Sequence, residues 1–147
     1  MAAIAARRPY EILLVEDDPA DAVLIQEALC EQSARTITRV PDGVAALEHL
    51  RDPEVAWPDL IVLDLNMPRM SGRELLNVLK NDDELKAIPV VVLTTSGAPE
   101  DVAAAYRNHS NAYITKPVNL DDFTHAVRSI DAFFLETATL PGQDDHR

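Results

Sequence analysis

Leu60-Ile61-Val62-Leu63-Asp64-Leu65-Asn66-Met67-Pro68 is the stretch on which the reading of this chain turns: four apolar residues in a row, then a carboxylate. A strand with one wet face alternates apolar and polar side chains. An unbroken apolar run of this length instead predicts a strand covered on both faces, as in a parallel sheet. A carboxylate directly after such a run is costly unless it finds partners. Residues 12–15, 36–40, 90–93 and 112–115 form four more short runs rich in Val, Ile or Leu, or closely similar to such runs. Between the runs the apolar residues take helical spacing. Val23, Leu24, Ala28 and Leu29 fit one face of a first helix, Val44, Leu47 and Leu50 a second, and Leu75, Leu76 and Leu79 a third. Val102, Ala105 and Tyr106 suit a short fourth, and Phe123, Val127, Ile130 and Phe134 stripe a longer fifth. Asp18 before Pro19 reads as an N-cap with proline at the first helical position, and Asp121 and Asp122 put acid in the first turn of the last helix. Five strands alternating with five helices predict an α/β fold, an open, doubly wound parallel sheet.

The 147 residues suit one domain over residues 10–137, with a loose arm at 1–9, a tail at 138–147 and no room for a second domain after the last helix. Hydrophobic residues make up 47% of the chain, enough for a core and too many for intrinsic disorder. Lys plus Arg minus Asp plus Glu gives 13 − 25 = −12. That charge repels a phosphate backbone and an anionic membrane surface, so neither nucleic acid nor membrane is expected as a partner. The single Cys30 excludes a disulfide framework within the chain and is read as helix packing. The longest segment free of Asp, Glu, Lys and Arg, residues 87–99, falls short of a spanning helix. Cytoplasmic placement is the expectation.

Ligands of an open α/β sheet bind at the carboxyl ends of the strands, where strand order reverses. Glu16, Asp17 and Asp18 follow the first run, Asp64 the third, Thr94 and Thr95 the fourth, and Lys116 and Pro117 the fifth. If the first and third strands are neighbours, Glu16, Asp17 and Asp64 meet at one crevice. Like charges gathered in this way need a cation, and Mg²⁺ held by carboxylates and waters fits. A carboxylate beside Mg²⁺ and an ammonium is equipped to accept a phosphoryl group. Asp18 is explained as a cap, and His49, His109, His125 and His146 lack ligand spacing.

These residues resemble the response-regulator receiver domain of bacterial two-component signalling. The resemblance rests on Leu14-Val15-Glu16-Asp17-Asp18, on Asp64-Leu65-Asn66-Met67-Pro68 with Gly72, on Val90-Val91-Val92-Leu93-Thr94, and on Tyr113-Ile114-Thr115-Lys116-Pro117. It implies a flavodoxin-like receiver fold with strand order 2-1-3-4-5. It further implies that Asp64 is the phosphoacceptor and that Glu16, Asp17, Asp64 and the backbone carbonyl of Asn66 hold Mg²⁺. Thr94 and Lys116 would bind phosphoryl oxygens, and Tyr113 would turn inward as a switch. A cis Lys116–Pro117 bond is implied as well. Thr95 departs from the commonest pattern, which has a smaller residue there, and would narrow access to Asp64. The C-terminal Ser129-Ile130-Asp131-Ala132-Phe133-Phe134-Leu135 and Thr139-Leu140-Pro141, with Thr94-Thr95-Ser96, resemble the stand-alone regulators that partner bacterial phytochrome kinases. That implies a phytochrome-type sensor histidine kinase as partner. It also implies a homodimer through the helix 4, strand 5 and helix 5 face, with Phe133, Phe134 and Leu135 at the interface. A competing reading is a Mg²⁺-dependent phosphatase with a strand-end Asp nucleophile. It wants a general acid two residues on, where Asn66 stands. A nucleotide or flavin binder lacks its glycine-rich motif.

Overall fold

The computed structural model describes residues 10–29, 35–137 and 139. Strands β1 (Tyr10–Val15), β2 (Arg35–Val40), β3 (Leu60–Leu63), β4 (Val90–Thr94) and β5 (Ala112–Thr115) form one parallel sheet in the order β2-β1-β3-β4-β5. The connections carry helices α1 (Pro19–Leu29), α2 (Gly43–Arg51), α3 (Gly72–Lys80), α4 (Pro99–Arg107) and α5 (Leu120–Ile130). A 3₁₀ turn (Leu85–Ala87) precedes β4, and a wider π-helical segment (Asp131–Thr137) continues α5. This is the doubly wound α/β architecture expected from the sequence.

Two separate cores explain why the strands read as unbroken apolar runs. Successive strand side chains point to opposite faces. Leu13, Val15, Ile61, Leu63, Val90 and Val92 pack with Leu47 and Leu50 of α2 and Leu75, Leu76 and Leu79 of α3. Their neighbours Ile12, Leu14, Leu60, Val62, Val91 and Leu93 pack with Ile25 and Leu29 of α1 and Phe123, Val127 and Ile130 of α5. Both faces are therefore buried, and a polar residue in either register would lose its water.

Local chemistry sets the helix starts. Asp18 Oδ1 accepts the Ala20 N–H at 2.9 Å, capping α1 with Pro19 at the first helical position. Ser71 and Glu74 form a reciprocal capping box at α3, and Asn119 accepts the Asp121 and Asp122 N–H groups at α5.

Several expectations are corrected. Val23 of α1 and Tyr106 of α4 point outward, 51% and 50% exposed. Helix α1 is rotated so that Asp21 reaches Lys116, which turns Ala22 and Ile25 onto the sheet instead of Val23. Helix α4 buries only Ala105, so Tyr106 has no core to enter. The Lys116–Pro117 bond is trans, as are the other described peptide bonds. The two isomers of an X–Pro bond lie within about 1 kcal/mol, so proline at 117 permits a cis bond without requiring one. Cys30, the arm at 1–9 and the tail beyond Thr139 lie outside the described residues.

Candidate functional site

The β1–β3 pairing builds the site. Leu14 lies opposite Val62 and Val15 opposite Leu63, so the chain leaves both strands side by side. The Asp64 N–H donates to the Val15 carbonyl at 3.0 Å, continuing the ladder one step beyond the strands. Glu16, Asp17 and Asp64 consequently converge, with one oxygen of each within 4.8 Å of the others. Glu16 and Asp64 are buried, and Asp17 sits nearer the solvent.

Lys116 reaches across from β5 to neutralise this cluster. Its side chain is 6% exposed, and Nζ donates to Glu16 Oε1 and Asp21 Oδ2, both at 2.8 Å, and lies 3.5 Å from Asp64 Oδ2. Burial alone would lower the pKa of this ammonium, but the hydrogen bonds to Asp21 and Glu16 outweigh it and raise the value. Glu16 moves up, to about 7, because burial and the facing Asp64 charge outweigh the help from Lys116. The crevice is short of positive charge, as a site built for a cation would be.

The remaining predicted residues surround this centre. The Asn66 N–H donates to Asp64 Oδ1 at 3.2 Å, and Asn66 Nδ2 lies 3.5 Å from Oγ1 of the fully buried Thr94. Tyr113 does not bond to Thr94. Its hydroxyl donates to the Ser96 carbonyl at 2.6 Å while its ring packs against the α2/α3-side core. Thr95 is exposed beside the loop. An open cleft of about 420 Å³, lined by Asp17, Asn66, Met67 and Arg73 among others, adjoins the crevice. Phe133 and Phe134 lie away from it, edge to face with ring centres 5.0 Å apart.

Three supporting features escaped the sequence reading, and a fourth explains Gly72, which the sequence had already singled out. Asp21, in the first turn of α1, is the second carboxylate on Lys116, and its place three residues after the Asp18 cap was a usable signal. Arg39 of β2 donates from Nε to the Glu16 carbonyl at 2.9 Å and from Nη2 to the Asp17 carbonyl at 3.0 Å, fixing the acidic loop from the neighbouring strand. Arg69 bonds Asp42 with both carboxylate oxygens, at 2.7 and 3.0 Å, tying the loop after β3 to the start of α2. Gly72 presses on the Asp64 backbone so closely that a Cβ would sit 2.1 Å from the Asp64 carbonyl oxygen. No side chain other than hydrogen fits there without moving Asp64.

A doubly wound sheet whose switch point holds three carboxylates and a lysine defines a receiver, and the chain belongs to the response regulator receiver domain family, whose model matches residues 12–128. The response regulator Rcp1 of Synechocystis sp. is 46% identical over 138 residues, covering 90% of this chain and 94% of Rcp1. The probable methanogenesis regulatory protein FilR2 of Methanothrix harundinacea is 41% identical over 144 residues, covering 95% and 92%. Among solved structures, the phosphorylated cyanobacterial phytochrome response regulator RcpA superposes with a TM-score of 0.88 at 46% identity, covering 90% of this chain and 99% of RcpA. The Mn²⁺-bound form of Rcp1 gives 0.87 at 46% identity and the same coverage.

The chain is thus a receiver-type response regulator of phosphorelay signalling, related to phytochrome-associated regulators, in a class not catalytic beyond its own phosphorylation and dephosphorylation. The phosphatase alternative falls with this assignment. The family implies a kinase partner. The carboxylate cluster is compatible with a divalent metal. Among the described residues no helix is long and apolar enough to cross a membrane.

Proposed function

We propose that Asp64 accepts a phosphoryl group from the phosphohistidine of a phytochrome-type sensor histidine kinase. In this reading Glu16, Asp17, Asp64 and the Asn66 carbonyl hold Mg²⁺, which would offset charge on the phosphoryl oxygens. An Asp64 carboxylate oxygen attacks phosphorus, the P–N bond breaks, and the imidazole leaves with the electron pair. Lys116 and the Thr94 hydroxyl take up oxygens of the new phosphoryl group, and Thr94 leaves its contact with Asn66 to do so. Tyr113 reports that movement to the surface formed by α4, β5 and α5. There a second copy docks, with Phe133, Phe134 and Leu135 contributing. Residues 10–137 form the receiver unit, and the cytoplasm is its compartment.

The observation that carries this reading is the meeting of Glu16, Asp17 and Asp64 within 4.8 Å with the buried Lys116 ammonium on Glu16 and near Asp64. Intact-protein mass spectrometry after incubation with Mg²⁺ and acetyl phosphate tests it. The expected result is a gain of one phosphoryl group, lost with EDTA and in Asp64→Asn. No gain in a sample that still binds Mg²⁺ would overturn it.

A further inference from the structure

A second polar network starts at Asn66 beside the crevice, and one guanidinium sits at its centre. Arg73, the second residue of α3, donates from Nε to Asp101 Oδ1 at 3.3 Å and from Nη2 to Asp101 Oδ2 at 3.0 Å. This side-on, two-point contact joins α3 to the first turn of α4. Nη1 of the same group lies 3.5 Å from Asn66 Oδ1, and the amide nitrogen of Asn66 faces the Thr94 hydroxyl. Asp101 is engaged from the other side: its Oδ2 accepts the Ser96 hydroxyl at 2.5 Å. The Ser96 carbonyl in turn accepts the Tyr113 hydroxyl.

We infer that Arg73 is a positioning residue for the switch, acting through Asn66 on Thr94 and through Asp101 and Ser96 on Tyr113. This inference rests on the roles proposed above for Thr94 and Tyr113. Physically, an asparagine amide can turn over, and an anchored donor on its oxygen decides which end meets Thr94. A loop carbonyl can likewise swing away, and Asp101 holds Ser96 so that its carbonyl stays within reach of Tyr113. The planar fork of Arg73 serves both purposes at once, whereas a lysine would present a single point charge. The pair is half exposed, with side chains 44% and 22% accessible, so its contribution to global stability is small and its effect is on local geometry.

The test follows Tyr113 directly. The protein carries 3-fluorotyrosine with Tyr10→Phe and Tyr106→Phe, leaving one ¹⁹F signal, checked by its loss in Tyr113→Phe. Arg73→Gln and Asp101→Asn are each expected to move that signal toward free fluorotyrosine, lowering the inward over outward ratio about threefold. Arg73→Lys is expected to recover part of the shift. The exchanged pair, Arg73→Asp with Asp101→Arg, keeps the charge pairing but loses the donor to Asn66 Oδ1 and the acceptor of the Ser96 hydroxyl, so it is expected to stay as shifted as the single variants, while melting temperatures stay within about 3 °C. An unchanged signal in both single variants, or an exchanged pair that regains the wild-type signal, overturns the inference. Mass spectrometry of the same samples separates the two readings. Wild-type protein that takes no phosphoryl group sinks the phosphoacceptor assignment, and phosphorylation at Asp64 with an unmoved fluorine signal sinks the role of Arg73.

Discussion

Lys116 is one ammonium set against three carboxylates, and its removal exposes the cost of gathering them. A buried charge left without its partner typically costs about 3–5 kcal/mol. Lys116→Met keeps much of the stem's packing and deletes only the charge, so Glu16 and Asp64 repel across the crevice. Protonating Glu16 relieves that repulsion. Its folded pKa, about 7, already lies above its ordinary 4.5, so in the wild type Glu16 costs stability increasingly as pH rises from 4.5 through 7. Losing Lys116 raises the folded value further and carries the loss on to higher pH. The expected outcome is a melting temperature below the wild type's by roughly 6–12 °C at pH 8, with a smaller deficit at pH 5.5. Added Mg²⁺ restores more of it than it adds to the wild type. Thermal melts at the two pH values check this, and an equal deficit at both would mean that only packing was lost.

At the scale of elements, the start of α2 and the loop after β3 behave as one unit. Asp42 caps α2 by accepting the Ala45 N–H at 2.9 Å, and Arg69, held at φ 59°, lays its guanidinium on the same carboxylate. The Gly43 N–H donates to the Met70 carbonyl at 3.1 Å, so the loop that carries Asn66 is docked twice. Arg69 first, and the Ala45 N–H second, hold the Asp42 carboxyl below its ordinary 3.8. A depressed folded pKa adds stability above the unfolded value, and that addition disappears as pH falls through the folded value. Asp42→Asn keeps the cap acceptor and deletes the charge. It is expected to melt a few degrees below the wild type at pH 7, with the two curves converging as pH falls from 3.8 through the folded value. A constant gap across that range would assign the loss to the cap. These ties also mark where sequence reading runs out. Strand β3 was legible to the residue, because an unbroken apolar run has only one comfortable place, and so was the gathering of Glu16, Asp17, Asp64 and Lys116 at strand ends. Helix rotation was not, as Val23 shows, because the stripe in α1 admits two faces and the Asp21–Lys116 contact chooses between them. Arg39, Arg69, Arg73 and Asp101 stayed hidden for a related reason: each has a partner more than twenty residues away, and a lone charge carries no mark of its partner.

For the whole molecule, the net charge of −12 sets the conditions under which the proposed dimer could form. Two such chains repel at long range, so apolar contact must supply the attraction and salt must screen the repulsion. The two adjacent phenylalanines divide the labour. Phe134 packs back against its own core on the α1/α5 side of the sheet, whereas Phe133 is 56% exposed. The turn that presents them is anchored by the buried pair of Arg35 with Asp131, Nε to Oδ1 at 2.7 Å, and Arg35 also stacks over the Tyr10 ring. Phe133 therefore stands on a rigid mount, as an interface anchor needs to. Phe133→Ser is expected to weaken self-association at least tenfold while leaving the melting temperature of dilute protein within about 2 °C. Phe134→Ser is expected to cost about 2 kcal/mol of folding stability, since part of its ring leaves a packed core. Sedimentation velocity across protein concentration, at about 20 and about 300 mM salt, reads both effects. Association that strengthens with salt in the wild type and vanishes in Phe133→Ser fits the proposed dimer. A dimer indifferent to Phe133 would move the contact to another face of α4 and β5, where Tyr106 is the exposed aromatic that remains.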